Sequence, residues 1–594
     1  MAMKALQDQH VLILGLGISG LSMARWCVRQ GAVVTVADTR STPPSLTALQ
    51  AECPQARFVA GAFDESLLAR APWGVIARSP GLPPSQLTAA HAWAQAHGAA
   101  WVGELDLFAQ ALGDLSRREL LPYRPRVLAI TGTNGKTTVT SLTGLLLQRA
   151  GLRVAVAGNI GPALLDVLGA ALDEEARAQA EVVQAQAQAQ ALDAADGVEA
   201  PMVHASAPTE APAAESQDEP QPGEDEGDAP AATDEDGEGP AFIAPPPPEP
   251  PQPPHLPQAW VLELSSFQLD GTAGGDWDAV PTAATVLNIT EDHLDWHGSM
   301  AAYAQAKQAV FGAQALMLLN REDPQVLAMQ PANVTVKISG RNRLRPARPF
   351  ATFGLDQPAR PGDWGLETVN GMTWLVRALA LDETRQRSRK ADDEEEIYFQ
   401  RLMPVDALRI RGRHNAANAL AALALATSTG ASLAPMLHGL REYRGEPHRV
   451  EPVGILESVE YFDDSKGTNV GATLAAVRGL GADRKLVVIL GGDGKGQDFS
   501  PLAEPLSRHA RAVALIGRDA PALAEVVQGL QRPGGEPLVV SQHATLEDAT
   551  RWCFEQARGG DAVLLSPACA SLDMFRNFEE RGRLFAEAVG RLGA

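Results

Sequence analysis

The chain has 594 residues, which corresponds to three or four domains at about 150 residues each. Its net charge of −22 is uneven, because residues 171–258 hold twenty acidic side chains against one arginine and the rest is close to neutral. The acidity therefore belongs to one segment, and no basic face indicates a nucleic-acid partner.

Cysteine content and hydropathy indicate a protein of a reducing, aqueous compartment. The four cysteines, Cys27, Cys53, Cys553 and Cys569, form no C-x-x-C pair and no metal-ligand pattern. No apolar run reaches the roughly 18 residues that a membrane span requires. The first residues pass directly into a glycine motif without a small-residue cleavage site, so we expect no signal peptide and a cytoplasmic location.

The first motif in the chain is a glycine-rich turn between a strand and a helix. Residues 10–20, HVLILGLGISG, are an apolar strand that opens into Gly15-x-Gly17-x-x-Gly20, and a second strand ends at Asp38. This pattern predicts a Rossmann-type βαβ unit whose backbone approaches the phosphates or ribose of a nucleotide. Tight strand–helix packing without a ligand is the alternative that the motif alone leaves open.

A second glycine loop, in residues 126–140, is the feature around which the rest of the chain is organised. The sequence RVLAITGTNGKTTVT predicts a buried strand, a loop with Gly132 and Gly135, and then a helix. Glycines admit a phosphate close to the backbone, the helix N-terminus offers free N–H groups, and Lys136 adds a positive charge. Ile130 stands where the usual P-loop has glycine, so a plain glycine turn beside an exposed lysine stays open as the alternative.

A change of composition interrupts the chain after a strand that we predict over residues 153–157. Residues 171–257 are rich in Ala, Glu, Asp, Gln and Pro and contain one aromatic residue. Such a segment buries too little apolar surface to offset its chain entropy, so we predict that most of it is disordered, with a helix over about 173–192. We interpret it as a loop insertion, with a Pro-rich ligand for a partner protein as the alternative.

Two residues beyond the insertion predict a metal site. Glu263 lies near the end of a strand predicted over residues 259–264, and His293 follows another over 284–289. A buried carboxylate needs a partner, and a metal ion beside a phosphate loop supplies one. We therefore expect Glu263 and His293 to offer an oxygen and a nitrogen ligand at the ends of neighbouring strands, with a structural histidine as the alternative.

The next part of the chain gives weaker signals. Lys307 shares a helix face with Tyr303 and Phe311, and from spacing alone it is a solvated helix lysine. Residues 341–408 are predicted to be irregular, with the charged run 385–396 as an exposed loop.

Polar clusters recur after the strands of the C-terminal third. Before them, Asn415 and Asn418 lie three residues apart at the start of an Ala/Leu helix and face the same way. The later clusters lie at residues 463–469, 491–495 and 566–571. Because the carboxyl ends of parallel strands meet at one edge of a sheet, we expect these clusters to line one crevice.

Taken in order, the motifs of the chain resemble those of the Mur ligases, the amino-acid-adding enzymes of peptidoglycan synthesis. The motifs are GLGISG, RSPG, TGTNGKTT, GNIG, ELSSFQ, EDHLD, GRHNAANAL, PHRVE, DDSKGTN, GGDGK and SPACASLDMFRNFEERG. The last three resemble the branch that adds D-glutamate, and the chain lacks the DNPR-like motif of branches that add diaminopimelate or lysine. The resemblance covers nearly the whole chain outside residues 171–257.

The resemblance implies an α/β fold of three domains. These are a Rossmann-like UDP-binding domain over residues 1–102, a central P-loop-type ATPase domain over 103–445 that contains the insertion 171–257, and a Rossmann-like amino-acid-binding domain over 446–594. The implied activity is that of an ATP-dependent acid–D-amino-acid ligase, which joins D-glutamate to UDP-N-acetylmuramoyl-L-alanine through an acyl phosphate. ATP and two Mg²⁺ ions are the implied cofactors, and we expect a monomer.

The resemblance also implies site residues, position by position. Uridine-nucleotide and substrate contacts correspond to Ile18, Ser19, Asp38, Thr39, Arg40, Ser79, Gly81, Asn159 and His293. The ATP set corresponds to Gly132, Thr133, Asn134, Gly135, Lys136, Thr137, Thr138, Asn415, Asn418, Arg449 and Asp464. Catalytic residues correspond to Lys136, His293, Lys307 and Lys466, and metal ligands to Thr137, Glu263, His293 and Lys307, with Lys307 carbamylated. The D-glutamate pocket corresponds to Thr468, Lys495, Ser571, Leu572 and Phe578.

Several alternatives stay open on the sequence. Under the resemblance the first glycine motif binds UDP rather than NAD, and Arg78 adds a charge near the pyrophosphate without an assigned role. The alternatives are another Mur-type or folylpolyglutamate-type ligase, an NAD-dependent oxidoreductase on a similar scaffold, and a non-catalytic interaction protein with a Pro-rich ligand.

Overall fold

The computed structural model describes residues 6–196, 253–338, 341–381 and 397–593. Its strands form three large sheets, of five, nine and six strands, and one two-stranded ribbon. Parallel strands joined by helices dominate the large sheets, as predicted for an α/β chain.

The first sheet is entirely parallel and presents the first glycine turn at its carboxyl edge. Its strands are β1 (His10–Leu14), β2 (Val33–Asp38), β3 (Arg57–Ala60), β4 (Val75–Arg78) and β5 (Ala100–Val102). Its helices are α1 (Ile18–Arg29), α2 (Leu46–Glu52), α3 (Glu65–Leu68), α4 (Pro84–His97) and α5 (Glu104–Ser116). The spatial order is β3-β2-β1-β4-β5. Strands β2 and β3 are added on one side of β1 and strands β4 and β5 on the other, and open sheets of this kind bind ligands at that switch point.

The second sheet carries the phosphate loop near its centre. Its strands, with the ribbon strands β11 and β12, are β6 (Arg126–Thr131), β7 (Val154–Gly158), β8 (Ala259–Glu263), β9 (Ala283–Val286), β10 (Leu316–Asn320), β11 (Asn333–Ile338), β12 (Arg341–Pro346), β13 (Phe350–Phe353), β14 (Trp364–Val369), β15 (Met372–Ala380) and β16 (Ile397–Pro404). The spatial order is β16-β15-β14-β13-β10-β9-β6-β8-β7. Since β6 lies between β8 and β9, the prediction that Glu263 and His293 follow neighbouring strands is wrong.

Helices of this central part cover the sheet and lead into the site. They are α6 (Lys136–Arg149), α7 (Leu164–Asp196), α8 (Ser266–Leu269), α9 (Leu294–His297), α10 (Met300–Gln308), α11 (Pro324–Leu327), α12 (Arg413–Thr427) and α13 (Leu433–Glu442). The buried Ala/Leu face of α12 packs on α6, which places the start of α12 beside the phosphate loop.

The third sheet is parallel except at one edge. Its strands are β17 (Glu451–Leu456), β18 (Val459–Asp463), β19 (Leu486–Gly491), β20 (Ala510–Ile516), β21 (Val539–Gln542) and β22 (Ala562–Leu565), in the order β17-β18-β22-β19-β20-β21. Its helices are α14 (Val470–Gly481), α15 (Ala503–His509), α16 (Ala520–Val527), α17 (Leu546–Gln556) and α18 (Phe578–Leu592). Strand β17 pairs antiparallel to β18.

One hydrophobic core runs through the first and second sheets. It contains Trp26 of α1, Phe108 of α5 and Trp260 of β8, and the rings of Phe108 and Trp260 meet edge to face at 4.9 Å. Nε1 of Trp260 also donates a 2.7 Å hydrogen bond to the hydroxyl of Tyr123. The third sheet has its own clusters on its two faces, so the first two units share an interior that the third does not.

Helix α7 corrects the predicted limits of the insertion. It continues from Leu164 to Asp196, so the helix predicted over 173–192 is confirmed and the predicted disorder from residue 171 is wrong. Glu175 of this helix is 5% exposed, and its buried carboxylate accepts hydrogen bonds at 2.9 and 3.0 Å from the guanidinium of Arg118. The rest of the predicted disorder, residues 197–252, lies outside the described residues.

Irregular structure over residues 341–408 is also a wrong prediction. Five strands, β12 to β16, occupy the described part of that stretch, and β14, β15 and β16 form an antiparallel edge of the second sheet. Short strands with mixed polar and apolar residues give no clear period, and pairing with neighbours stabilises them. The charged run 385–396 lies outside the described residues. Among the residues that are described, no helix has the length and hydropathy needed to cross a membrane.

Candidate active site

The loop between β6 and α6 has the backbone geometry of an anion-binding turn. Gly132 and Gly135 adopt φ angles of +152° and +83°, which glycine tolerates and other residues rarely adopt. A Cβ on Gly135 would stand 2.9 Å from Oδ1 of Asn418, so Asn418 packs directly against the loop. Helix α6 begins at Lys136 and leaves the free N–H groups of its first turn beside the loop.

Two lysine side chains converge on one carbonyl oxygen of this loop. Nζ of Lys136 donates to the carbonyl oxygens of Gly132 and Thr133 at 2.8 and 2.9 Å, and Nζ of Lys307 donates to that of Gly132 at 2.8 Å. Lys307 is 1% exposed, with its ammonium 4.6 Å from the centroid of the Tyr303 ring, so the interpretation of it as a solvated lysine is wrong. Burial lowers the pKa of both lysines, and the charge of Lys136 lowers that of Lys307 further. The loop thus concentrates cationic groups where an anion would neutralise them.

Glu263 is the acidic counterpart of these lysines. It closes β8 and is 2% exposed, and its Oε1 accepts a 2.7 Å hydrogen bond from Nδ2 of Asn159. Its Oε2 is buried and has no hydrogen-bond partner among the described residues. A buried carboxylate oxygen is destabilising unless a donor or a cation lies beside it. Glu263 therefore has one oxygen available for a cation.

His293 stands at the rim of the site. Its side chain is 44% exposed, its ring centroid lies 4.7 Å from that of Phe267, and its Nε2 is 3.6 Å from Oδ2 of Asp292. These contacts do not join it to Glu263, so the shared role of the two as metal ligands stays a prediction.

The connection after β9 holds the phosphate loop in place. Asn288 accepts a 2.8 Å hydrogen bond from the N–H of Asn134 and donates one of 3.1 Å to its carbonyl oxygen. The hydroxyl of Thr133 lies 3.1 Å from that of Tyr303 and accepts a 3.0 Å hydrogen bond from the N–H of Thr290. These hydrogen bonds therefore hold the middle of the loop, at Thr133 and Asn134, against the segment that follows β9.

The third unit reaches the same loop through two side chains. The guanidinium of Arg449 donates a 2.6 Å hydrogen bond to Oγ1 of Thr137. The amides of Asn134 and Asn469 face each other at 3.4 and 3.5 Å, and Asn469 also caps the N-terminus of α14. The loop thus lies at the junction of the second and third sheets.

Asn415 and Asn418 lie at the start of α12, as predicted from their spacing. Nδ2 of Asn418 donates to Oδ1 of Asn415 at 3.0 Å, and Nδ2 of Asn415 donates to the carbonyl oxygen of Arg411 at 2.8 Å. The pair is therefore pre-oriented beside Gly135.

Asp464 and Lys466 follow β18 at the same junction. Oδ2 of Asp464 accepts a 2.6 Å hydrogen bond from Ser566, and burial raises the pKa of Asp464 to about 7. Nζ of Lys466 lies 3.9 Å from the centroid of the Phe578 ring, and burial, with the nearby Arg449, lowers its pKa.

Two loops that hold most of the residues predicted for D-glutamate meet in a β-bridge. Asp493 pairs with Ala570, which brings the loop of Lys495 beside that of Ser571 and Leu572. Lys495 is exposed and Leu572 is 69% exposed, whereas Ser571 is 4% exposed. The polar clusters after β19 and β22 therefore share one edge, as the sequence predicts.

Asp38 of the first sheet is already saturated with hydrogen bonds. Arg40 donates Nε to Oδ1 and its terminal NH₂ to Oδ2, both at 2.8 Å, and Oδ1 also accepts from the N–H of Arg40. Oδ2 further accepts the N–H of Leu16 at 2.7 Å, and these bonds, led by that of Arg40, lower the pKa of Asp38 to about 2. In this geometry Asp38 anchors Arg40, which is 53% exposed at its side chain.

The other residues of the first unit that are predicted for the uridine nucleotide lie at the same carboxyl edge, whereas Asn159 and His293 lie in the second unit. Ile18 is 75% exposed, and a Cβ on Gly15 would stand 3.0 Å from that of Ser79, so the two loops touch. Arg78, which had no assigned role, is 8% exposed and donates to the carbonyl oxygen of Asp270 in the second unit.

Comparison with known proteins decides the family. Family models match residues 9–103 (N-terminal domain of MurD-like Mur ligases), 254–349 (Mur ligase middle domain) and 448–569 (Mur ligase glutamate ligase domain). The chain is 53% identical to the UDP-N-acetylmuramoylalanine–D-glutamate ligase of Albidiferax ferrireducens over 592 residues, which cover 100% of this chain and 98% of the relative. The chain belongs to the Mur ligase family. Relatives with the same name from Polaromonas sp. (46% identical, 99% of both chains) and Burkholderia cenocepacia (47%, 98% of this chain and 97% of the relative) agree.

Membership of the Mur ligase family confirms the predicted α/β fold with three domains. It also confirms ATP-dependent ligation in peptidoglycan precursor synthesis as the general activity. An oxidoreductase and a non-catalytic interaction protein are thereby excluded.

Sequence reasoning missed several residues of this Mur ligase site. Arg581 is fully buried and donates to the hydroxyl and carbonyl oxygens of Ser465 and to the carbonyl oxygen of Cys569. It lies three residues after Phe578 on the helix of the last motif, and this helical spacing was the available signal. Asn288 and Thr290 precede the EDHLD motif directly, but nothing in their residue types indicates contact with a loop more than 150 positions away.

Proposed function

We propose that this Mur ligase joins D-glutamate to UDP-N-acetylmuramoyl-L-alanine and converts ATP to ADP and phosphate in the same cycle. The substrates are those in the names of its relatives, which are 46–53% identical over nearly the full chain. The observation that carries the proposal is the convergence of Lys136, Lys307 and Glu263 on one phosphate loop, with Arg449 reaching the same loop from the third unit. Such a site suits phosphoryl transfer, in which catalysis depends on positioning and charge neutralisation.

The proposed chemistry has two steps. The L-alanyl carboxylate is ionised at neutral pH, so it attacks the γ-phosphorus of ATP without a base. An O–P bond forms as the bond to ADP breaks, which gives an acyl phosphate. The amine of D-glutamate then attacks the acyl carbon, the C–O bond to phosphate breaks, and the nitrogen loses a proton.

The residues of the phosphate loop and of the third unit hold the ATP in this proposal. Lys136 exchanges its carbonyl partners for phosphate oxygens, and Arg449 and Lys466 of the third unit add positive charge. The loop from Gly132 to Thr138 offers backbone N–H groups, while Asn415, Asn418 and Asp464 bind the rest of the nucleotide.

Four residues are proposed to hold two Mg²⁺ ions, namely Thr137, Glu263, His293 and Lys307. The donor chemistry fits, since Oε2 of Glu263 is buried without a hydrogen-bond partner among the described residues. Lys307 fits only as a carbamate, because an ammonium repels a cation whereas a carbamate offers carboxylate oxygens. Burial favours the neutral amine that reacts with CO₂. When bound, Mg²⁺ withdraws negative charge from the phosphate oxygens.

The two remaining substrates are assigned to the other ends of the molecule. Arg40, Ile18, Ser19, Thr39, Ser79 and Gly81, with Asp38 behind Arg40, are proposed to bind the uridine nucleotide, and Asn159 and His293 its reacting end. Thr468, Lys495, Ser571, Leu572 and Phe578 are proposed to bind D-glutamate, with the exposed ammonium of Lys495 paired to a carboxylate.

Phosphate release against a panel of amino acids tests the proposal. With ATP and UDP-N-acetylmuramoyl-L-alanine present, D-glutamate should exceed L-glutamate, L-lysine and meso-diaminopimelate by about a hundredfold or more, because a wrong amino acid leaves polar groups of the pocket unpaired. Lys136→Ala should abolish release, and Lys485→Ala on the third sheet is the matched control. Turnover with a different amino acid, or with L-glutamate on a folate acceptor, would assign another ligase.

We further propose that the enzyme acts as a monomer in the cytoplasm. The location follows from the proposed substrates, because ATP and UDP-linked precursors are cytoplasmic compounds. Sedimentation should give a mass near 62.8 kDa at working concentration, and a stable dimer would contradict this.

A further inference from the structure

The turn that carries Arg449 has a strained backbone on both sides of this residue. His448 and Val450 adopt φ angles of +60° and +52°. Residues other than glycine rarely adopt this left-handed region, and a β-branched valine is an outlier there. Such strain persists only where neighbouring contacts hold the backbone in place, and it is concentrated at functional sites. The conformation that brings the guanidinium of Arg449 to Thr137 must therefore be held by the surroundings of the turn.

The ring of His448 is held by Asp463 at the end of β18. Nδ1 of His448 lies 2.6 Å from Oδ2 of Asp463, and the two side chains are 19% and 3% exposed. Because an ionised carboxylate only accepts hydrogen bonds, Nδ1 carries the proton and donates it. The N–H of His448 also donates to Oε2 of Glu451 at 2.8 Å, and its carbonyl oxygen accepts from the N–H of Lys466 at 3.1 Å. The N–H of Ser465 donates to Oδ1 of Asp463 at 2.8 Å, so the partner of the ring is itself fixed.

Helix α18 packs against this histidine–aspartate pair at Gly582. A Cβ at this position would stand 2.2 Å from Nδ1 of His448 and 2.3 Å from Oδ2 of Asp463. Both distances are far below a van der Waals contact, so any side chain at position 582 would push the pair apart. Gly590 of the same helix has no such constraint, because nothing lies within 4 Å of its Cβ position. The close approach of α18 to the pair therefore depends on glycine at position 582.

We infer that Asp463 and Gly582 are positioning residues that act through His448 on Arg449. Asp463 holds the ring of His448, and Gly582 admits the pair against α18, so the strained turn keeps the guanidinium at the phosphate loop. The inference rests on the proposed function, in which Arg449 stabilises charge during phosphoryl transfer. Separation of the pair should therefore slow this step and leave the binding of the uridine substrate, which is assigned to the first unit, nearly unchanged.

Gly582→Ala tests the inference, because it separates the pair without changing either of its residues. Gly590→Ala, the same change on the same helix, is the matched control. In steady-state phosphate release, kcat of Gly582→Ala should fall about tenfold or more, while the KM for UDP-N-acetylmuramoyl-L-alanine stays within about twofold. Asp463→Ala should give the same result, the control should keep both constants, and circular dichroism confirms folding. Equal kcat values for Gly582→Ala and Gly590→Ala would overturn the inference.

A double-mutant cycle with Arg449→Ala separates positioning from a purely structural role. If the pair acts through Arg449, Gly582→Ala should lower kcat by less than about twofold when residue 449 is already alanine. The same large factor in both backgrounds would indicate a loss of folded enzyme and would overturn the inference alone. Full kcat of Arg449→Ala itself would overturn the proposed role of Arg449 as well.

A spectroscopic measurement tests the pair without relying on activity. In enzyme labelled with ¹⁵N-histidine, the Nδ1–H proton of His448 should resonate far downfield, because its hydrogen bond to Asp463 is short. The signal is assigned by its loss in His448→Gln. It should persist in Gly590→Ala and disappear in Gly582→Ala. Its persistence in Gly582→Ala would show that the pair does not depend on glycine at this position and would overturn the inference.

Discussion

The guanidinium of Arg449 donates a 2.6 Å hydrogen bond to the hydroxyl of Thr137, across 312 positions of the chain. Thr137 is in the first turn of α6, whereas Arg449 lies just before β17 of the third sheet. The charge at the phosphate loop therefore depends on how the C-terminal unit is seated against the central one.

Replacement of Arg449 by alanine should lower kcat far more than it changes the KM for the uridine substrate. The guanidinium is expected to stabilise charge on the transferred phosphoryl group, and loss of one such donor typically slows a reaction by about 10²–10³. Steady-state phosphate release measures both constants. Arg478→Ala, on an exposed face of α14, is the control. If kcat fell by the same modest factor in both variants, Arg449 would have no specific role in phosphoryl transfer.

Replacement of Lys307 by alanine should abolish activity that short carboxylic acids then restore. Acetate or formate in the space left by the side chain would replace the carbamate oxygens, whereas a lysine that acts through its ammonium would not be rescued in this way. The measurement is phosphate release against acetate concentration, with circular dichroism to confirm folding. Full activity of Lys307→Ala without additive would end the carbamate proposal, and rescue by methylamine instead of acetate would assign a cationic role.

Helix α7 should tolerate change at its exposed end but not at Glu175. Glu175→Ala leaves the guanidinium of Arg118 without this partner, and because that guanidinium is partly exposed to water we expect the free energy of unfolding to fall by about 1–3 kcal/mol. Glu181→Ala, on the exposed surface of the same helix, should change it little. Thermal and urea unfolding measure the free energy of unfolding of both variants. Equal values for Glu175→Ala and Glu181→Ala would show that the contact of Glu175 with Arg118 does not stabilise the fold.

Exchange of residues 197–252 for an equally long Gly/Ser segment should leave kcat within a few-fold. The exchange keeps the length on which the loop-closure entropy depends, and no residue proposed for the site lies in this segment. A collapse of activity in the soluble, folded variant would contradict the proposed site.

The pH dependence of stability should reveal Asp464. Its pKa is raised by burial to about 7 in the folded chain, whereas in the unfolded chain the carboxyl ionises near its ordinary 3.8. Between these values the unfolded state loses protons that the folded state keeps, so the free energy of unfolding falls as pH rises. Asp464→Asn does not titrate, so its Tm relative to the wild type should rise from about pH 4 to about pH 7 and then level off. A constant difference would show that Asp464 is ionised throughout.

Local patterns explain what the sequence could predict. The phosphate loop, the pair Asn415 and Asn418, and the polar edge after the third sheet's strands all follow from spacing within a few residues, and the structure places them as expected. The mutual position of motifs far apart in the chain came from the family resemblance.

Long-range contacts explain what the sequence could not predict. Composition predicted the helix over 173–192, but the packing of α7 on the body through Glu175 and Arg118, which lie 57 positions apart, could not be predicted from it. The strands after residue 341 are stabilised by their neighbours rather than by their own period. Asp38 is among the residues predicted to contact the uridine nucleotide, but its oxygens accept hydrogen bonds from Leu16 and Arg40, and this saturation depends on three-dimensional geometry.

The shared interior of the first two sheets has a mechanical consequence. Their core is continuous, and three polar contacts also join residues before the phosphate loop to residues after it. These are Arg78–Asp270, Arg25–Asp166 and Arg118–Glu175. The third unit meets the phosphate loop through polar side chains and otherwise packs α14 on α12, so we expect the first two units to move as one rigid body relative to the third. Substrate entry and product exit would then depend on one motion of the third unit relative to the first two. Distances measured by fluorescence energy transfer should stay constant between labels within the first two units and should change with nucleotide when one label is on the third unit.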